Sequence, residues 1–377
     1  MNKTTKIFIG IVVLIFIVIF AWYFNSQKQA TNNEPIKIGY IGPLTGDAAS
    51  IGAPGVAAAQ AAIKEINQKG GVLGRSLELI VEDDKCSAEG VQAINALINK
   101  DQVVAISGPD CGSAAGPSLP IAQKAGIPVV IRWASVPGLP KIGDYIFRVY
   151  PSDVLQGDYA ADYIKNKLNK SKVAVMYVQN DYGKGLRDVF VEKFKSLGGE
   201  VVLDEGHGVD EKDLKTTLLK VKNSQPEAIF LPSYRAVGNV ILKQLKEIGL
   251  NVPVIAGDAF DTDEIIKSVE GEGVMFSVAV TNNDEKFQKK VFDLTGQKAD
   301  KITAPLAYDS IMIIAQAIER AGSVDKVKIK NELKKTSYQG VSYPKIEFDV
   351  DGDLKAEFAK YEMRVVRNKT GVLYEIQ

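Results

Sequence analysis

Residues 107–137 gather side chains suited to recognising an anion. An apolar run, 103–106, breaks at Gly108-Pro109 and enters a loop of small residues, Asp110-Cys111-Gly112-Ser113. An Ala-rich helix is expected behind that loop, ending at Ala125. The first N–H groups of a helix have no intrahelical partner, so Gly112 and Ser113 would offer donors to a negative group. A second apolar run, 129–131, ends in Trp133-Ala134-Ser135. Two neighbouring strand ends thus each carry a small, hydroxyl-bearing loop. Ligands of open parallel α/β sheets bind just beyond the carboxyl ends of the strands. The pair of loops reads as half of a small-molecule cleft; the alternative is two ordinary connections.

Catalytic chemistry has little support. The one histidine, His207, lies between two glycines and is expected to be a solvated loop residue. Two cysteines are too few for a four-ligand structural zinc site. There is no phosphate loop of the G-x-x-x-x-G-K-[ST] type and no Gly-x-Ser-x-Gly elbow. Gly39, Gly42 and Gly46 have the wrong spacing for a dinucleotide fingerprint. No enzyme activity, metal or cofactor is expected. Lys plus Arg balance Asp plus Glu at 46 each, so no net field invites nucleic acid.

The 377 residues suffice for two or three domains. Strand 36–41 ends in Gly42-Pro43-Leu44-Thr45-Gly46. A helix is expected from near Pro54, with Val56, Ala59, Ile63 and Ile66 at helical spacing, to the stop Gly70-Gly71. Strand 77–81 ends in Glu82-Asp83-Asp84. Further strands are expected at 173–178, 200–203, 228–231, 254–256 and 274–278, each separated by a helical pattern. Such alternation means a parallel sheet covered on both faces. The chain also echoes itself: Ala125-Gly126-Ile127-Pro128-Val129-Val130 resembles Ile248-Gly249-Leu250-Asn251-Val252-Pro253-Val254-Ile255. That suggests two lobes of like topology, with late helices near 285–294, 304–321 and 327–335 completing the first.

The N-terminus carries a different signal. Residues 7–24 are apolar and uncharged. As a helix they would rise ~27 Å, close to a bilayer core. Lys3 and Lys6 precede them, which puts residues 1–6 in the cytoplasm and the remainder outside. An uncleaved transmembrane anchor is expected, with a cleaved secretory signal as the alternative. Residues 25–35 read as a tether.

The residues from Ile36 onward resemble the type I periplasmic binding proteins of the branched-chain amino acid class. Five segments carry the likeness, by order and spacing: Ile38-Gly39-Tyr40-Ile41-Gly42-Pro43-Leu44-Thr45-Gly46, the run from Ile63 to Gly74, Glu82-Asp83-Asp84 before Cys86, Asp181-Tyr182-Gly183-Lys184-Gly185, and Phe348-Asp349-Val350-Asp351-Gly352-Asp353. The resemblance implies two α/β lobes, each a mostly parallel sheet with helices on both faces. Lobe 1 would be 36–150 and 282–346; lobe 2 would be 151–281 and 347–377. Three crossings are expected near 147–153, 278–282 and 346–352.

The same resemblance implies how a ligand is held. An amino acid's carboxylate would meet backbone N–H groups and hydroxyls at Gly112, Ser113 and Ser135. Trp133 would offer a backbone carbonyl to the ammonium, and Asp258 would receive its charge; a helix N-cap is the alternative for Asp258. Tyr182 and Tyr234 follow strand ends and would flank the ligand. Relatives often have serine where this chain has Gly112, small residues where it has Arg132-Trp133, and an aromatic residue where it has Ile51. Arg132 could grip an acidic ligand group bidentately or point to the surface. Cys86 and Cys111 lie in lobe-1 loops of an extracytoplasmic chain, where the family often has a disulfide. The implied function is a substrate-binding protein of an ABC importer that closes on an amino acid and delivers it to a permease, as a monomer. A sensor of amides or aromatic acids, signalling through a separate partner, is the alternative.

Overall fold

Alternate residues of the short strands face opposite ways, and both sets are apolar. Val129 and Ile131 enter one core while Val130 enters another; Ile229 and Leu231 part from Ala228 and Phe230 in the same way. A strand buried on both sides needs helices on both faces of its sheet. The computed structural model describes residues 34–46, 48–281 and 285–373 and contains two such sheets.

The chain begins β1 (Ile36–Gly42), α1 (Ala49–Gln68), β2 (Leu77–Asp83), α2 (Gly90–Asn95), β3 (Ala105–Ser107), α3 (Gly112–Ala125), β4 (Val129–Ile131) and β5 (Ile146–Arg148). It continues α4 (Asp153–Asp162), β6 (Lys172–Val178), α5 (Asp181–Ser196), β7 (Glu200–His207), α6 (Lys215–Asn223), β8 (Ala228–Leu231), α7 (Arg235–Glu247), β9 (Val254–Ala256), α8 (Asp263–Ile266) and β10 (Met275–Ala279). Then come α9 (Glu285–Thr295), α10 (Thr303–Ala321), α11 (Lys326–Leu333), β11 (Ser337–Tyr338), β12 (Ile346–Glu347), β13 (Tyr361–Arg367) and β14 (Thr370–Leu373).

The first sheet has the order β2-β1-β3-β4-β5 and is parallel throughout. Its one face is covered by α1, α9, α10 and α11, the other by α2 and α3. The late helices therefore return to the first sheet. Alanines along α1 and α10 let the two helix backbones pack closely. The second sheet has the order β14-β13-β10-β9-β8-β6-β7, with β13 and β14 the antiparallel members. Both sheets aim the carboxyl ends of their parallel strands at a shared cleft. The helix expected to end at Ala125 does so, with Gly126 in the left-handed conformation at φ 65°.

Four expectations change. Helix α1 starts at Ala49, before the expected Pro54, so Ile51 sits in its first turn and Pro54 in its second. Strand β7 runs on to His207, four residues past Leu203. His207 is accordingly buried, not solvated. Its Nδ1 donates to the Gly208 carbonyl at 2.8 Å, and burial lowers its pKa, so the ring is neutral.

Arg132 is the fourth. It is 0% exposed, so it does not point to the surface, and it does not border the cavity between the two sheets. Nε and Nη2 bind the two oxygens of Asp110 at 2.9 and 2.6 Å. Nη1 donates to the Ser107 carbonyl and hydroxyl, and Nη2 also to the Ile41 carbonyl. The guanidinium lies 3.7 Å from the centre of the Tyr40 ring. All five of its donors are thereby used. Arg132 ties together the ends of β1, β3 and β4, the strands whose loops build one wall of the cleft.

The apolar segment 7–24 lies outside the described residues, as does 282–284 at one expected crossing. Among the described residues no helix is long and apolar enough to cross a membrane.

Candidate functional site

A cavity of about 720 Å³ opens between the strand ends of the two sheets. Gly112, Ser113, Trp133, Ser135, Tyr182, Tyr234 and Asp258 all border it, as does Ile51. The structure thus brings every expected ligand-contacting residue to one place.

The wall from the first sheet is made by the loops after β3 and β4. Gly112 opens the 14-residue α3, and Cys111 at its N-cap provides no side-chain cap. Gly112 has a steric reason to be glycine, since a Cβ there would stand 2.4 Å from the Val136 side chain. Ser113 Oγ donates to the Cys86 carbonyl at 2.6 Å, so its one hydroxyl hydrogen is already committed. The Ser135 carbonyl accepts the Asp153 N–H at 2.8 Å, joining this loop to the start of α4. Cys86 and Cys111 form a disulfide with Cα atoms 5.3 Å apart. It fastens the loop after β2 to the first residue before α3. Replacing both cysteines by serine should cost about 3 kcal/mol in the chain-entropy model. Urea unfolding with and without reductant would measure this; identical midpoints would contradict it.

The wall from the second sheet is built on Asp258. Strand β9 delivers Gly257, and Asp258 starts a short 3-10 turn, Asp258–Phe260. Its side chain points into the cleft and is 2% exposed. Oδ2 accepts the Tyr150 hydroxyl at 2.7 Å and the Trp133 indole N–H at 3.1 Å. Oδ1 accepts the Tyr182 hydroxyl at 3.3 Å. Tyr182 opens α5, its ring stacked on Tyr234 with centroids 5.3 Å apart. A Cβ at Gly257 would meet the Tyr182 hydroxyl at 2.5 Å, so glycine is what lets the tyrosine approach.

Burial raises the pKa of Asp258, opposed by hydrogen bonds from Tyr150, Trp133, Tyr182 and Gln156. All four partners are neutral. Behind it, Asp153 is also fully buried; burial and then the Asp258 charge push its carboxyl up to about 8, against weaker pulls from Ser135 and Arg148. Arg148 itself is bound to Asp353 at 2.6 Å. Two carboxyls thus share a buried region, and Arg148, the cation that acts on Asp153, is already paired. The cavity's exposed charges, Lys85, Asp181, Lys184 and Asp210, are at its mouth.

Sequence reasoning missed Tyr150, Gln156 and Asp153, and it gave Trp133 only a backbone role, whereas the structure shows its indole N–H bound to Asp258. Tyr150 and Asp153 flank Pro151, where the break between repeating patterns was the available signal.

Residues 35–370 match the family described as periplasmic binding protein. The chain belongs to this family. An amino acid binding protein of Pseudomonas aeruginosa is 31% identical over 337 residues, covering 87% of this chain and 90% of its own. A leucine binding protein of Thermotoga maritima superposes with a TM-score of 0.82 at 27% identity, over 90% of this chain and 98% of that one. A branched-chain amino acid transporter substrate binding protein of Streptococcus pneumoniae, in complex with isoleucine, gives a TM-score of 0.77 at 28% identity, over 90% and 98%. The two-sheet architecture is the type I fold of periplasmic binding proteins. Membership makes this chain a solute-binding protein, not an enzyme.

Proposed function

We propose that the chain is the extracytoplasmic substrate-binding protein of an ABC importer and takes an amino acid, branched-chain or similar, into the cleft. The buried Asp258 carboxylate carries this reading: it borders the cavity and is held by neutral donors alone. A buried charge needs a countercharge, and an amino acid's cationic end supplies one. Its carboxylate end meets the backbone N–H groups of Gly112 and Ser113 at the start of α3, and Ser135 beside them. The Ser113 hydroxyl, committed to Cys86, leaves the main chain to do that work.

Lobe 1, 36–150 with 282–346, and lobe 2, 151–281 with 347–377, close about the ligand. Contacts made only in the closed form shift the hinge equilibrium, and the permease reads the result. The amino-acid binding in the relatives' names supports the ligand class. The N-terminal segment holds the protein at the outer face of the membrane or is cleaved on export.

Calorimetry on the purified chain, freed of co-purified ligand, tests the reading with a panel of amino acids, amides and aromatic acids. One amino acid should bind at one site per chain. Binding only of an amide or an aromatic acid would replace the amino-acid reading with the sensor or another solute class.

A further inference from the structure

We propose that the Trp133 indole is the latch of the cleft: its N–H closes onto the Asp258 carboxylate that holds the ligand's cation, and so sets how slowly the ligand leaves. This inference rests on the amino-acid reading of the cleft and names the side chain that keeps the closed form closed.

Tyr182, Tyr150 and Trp133 reach Asp258 from three different parts of the chain. Tyr182 donates from the start of α5, on the same side of the cleft as Asp258. Tyr150 donates from the first crossing, two residues past β5 and close to the pivot of any lobe rotation. Trp133 donates from the loop after β4, on the opposite wall, at 3.1 Å. Opening turns the lobes as rigid bodies about the crossings. The Tyr182 bond then travels with Asp258, and the Tyr150 bond stays near the axis. The Trp133 bond spans the gap, and it is lost once donor and acceptor part beyond about 3.5 Å.

The walls beside this bond stand at contact distance. A Cβ at Gly112 would lie 3.7 Å from the Tyr182 nitrogen, one at Gly116 would lie 3.0 Å from Asp181 Oδ2, and one at Gly185 would lie 2.9 Å from Pro137. Gly112 and Gly116 are on α3 and Gly185 is on α5. Three missing side chains thus let the helices that flank the cleft approach until the indole reaches the carboxylate.

The charge of Asp258 couples the latch to the ligand. Oδ2 holds the indole while Oδ1, bonded to the Tyr182 hydroxyl, keeps an acceptor position open for the ligand's cation. An ionised carboxylate is a stronger acceptor than a neutral one. Burial opposes ionisation of Asp258, and a cation beside it favours ionisation. Ligand on the second wall therefore strengthens the pull on the first. The open form lacks that contact, so the ligand's presence shifts the lobes toward closure. A contact made only after closure acts on departure of the ligand rather than on its arrival.

The test compares the full chain with two variants, using the tightest-binding amino acid of the panel as ligand. One variant is Trp133→Phe. The other carries 3-benzothienylalanine at position 133, which keeps the bicyclic shape and exchanges the N–H for sulfur. Release of radiolabelled ligand into excess unlabelled ligand gives the dissociation rate, calorimetry gives the affinity, and the association rate follows from the two. Dissociation should quicken about tenfold in both variants, as expected for a lost hydrogen bond to a charged group, with association changed less than about threefold. A benzothienyl variant that releases ligand at the parent rate would overturn the latch and leave the amino-acid reading standing. Slower association with unchanged dissociation would overturn it in the same way. Binding of no amino acid by the parent chain would remove the reading and the latch together.

Discussion

Asp258→Asn is expected to lower ligand affinity by at least about 100-fold, the consequence of removing one partner of a buried charge pair. The substitution keeps the shape. The amide oxygen can hold the Trp133 and Tyr150 donors, and the Tyr182 hydroxyl can turn to accept from the amide nitrogen. What disappears is the charge. Burial raises the Asp258 pKa because the ligand-free site does not compensate that charge. The ligand-free variant should therefore be no less stable than the parent, and calorimetry paired with thermal melts would separate the two effects. Lost affinity with a melting point unchanged or raised is the expected pattern. Undiminished affinity would take the ligand's cation away from Asp258. The same carboxylate sets a pH dependence: binding should weaken on acidification, beginning above the usual carboxylate range, as Asp258 is protonated.

Asp153→Asn should stabilise the protein, and more so as pH rises. The Asp153 carboxyl lies fully buried in the first turn of α4, its pKa raised from 3.8 to about 8. Across that window the unfolded chain gives up a proton that the folded chain keeps. Folded stability therefore falls as pH climbs from about 4 to about 8, then levels off. Near neutrality the loss is on the order of 3 kcal/mol once relaxation around the group is allowed. Asparagine removes the proton and with it the slope. Part of the slope belongs to the Asp153 and Asp258 pair, since each carboxyl feels the other's charge. Urea unfolding of both proteins at pH 4.5 and pH 7.5 should show a gap that widens with pH. Parallel profiles would mean that Asp153 is ionised in the folded state.

The strands, the glycine-capped helix ends and the acidic residue after β9 were legible because each is a local pattern. Gly126 ends α3 where a left-handed residue is needed, and Asp258 follows three buried strand residues. Arg132 was misread because its partner, Asp110, is 22 positions away. The two meet only because β3 and β4 are neighbours in the sheet. Strand β7 was cut short because it is an edge strand bearing Asp204 and Glu205, charges that look like a loop. The structure pairs them with Arg187 on α5 and Lys220 on α6, which makes an extended, charged edge tolerable. The aromatic setting of Asp258 was hidden for a similar reason. Trp133, Tyr150 and Tyr182 come from three separate elements, and nothing in the order of residues says where an indole or a phenol will point.

A crystal structure of the chain with its tightest-binding amino acid tests the central claim most directly. The account predicts the ligand's cation within ion-pair distance of the Asp258 carboxylate and among Trp133, Tyr182 and Tyr234, with its carboxylate on the main-chain N–H groups of Gly112 and Ser113. A ligand bound the other way round, or outside the cleft, would contradict it.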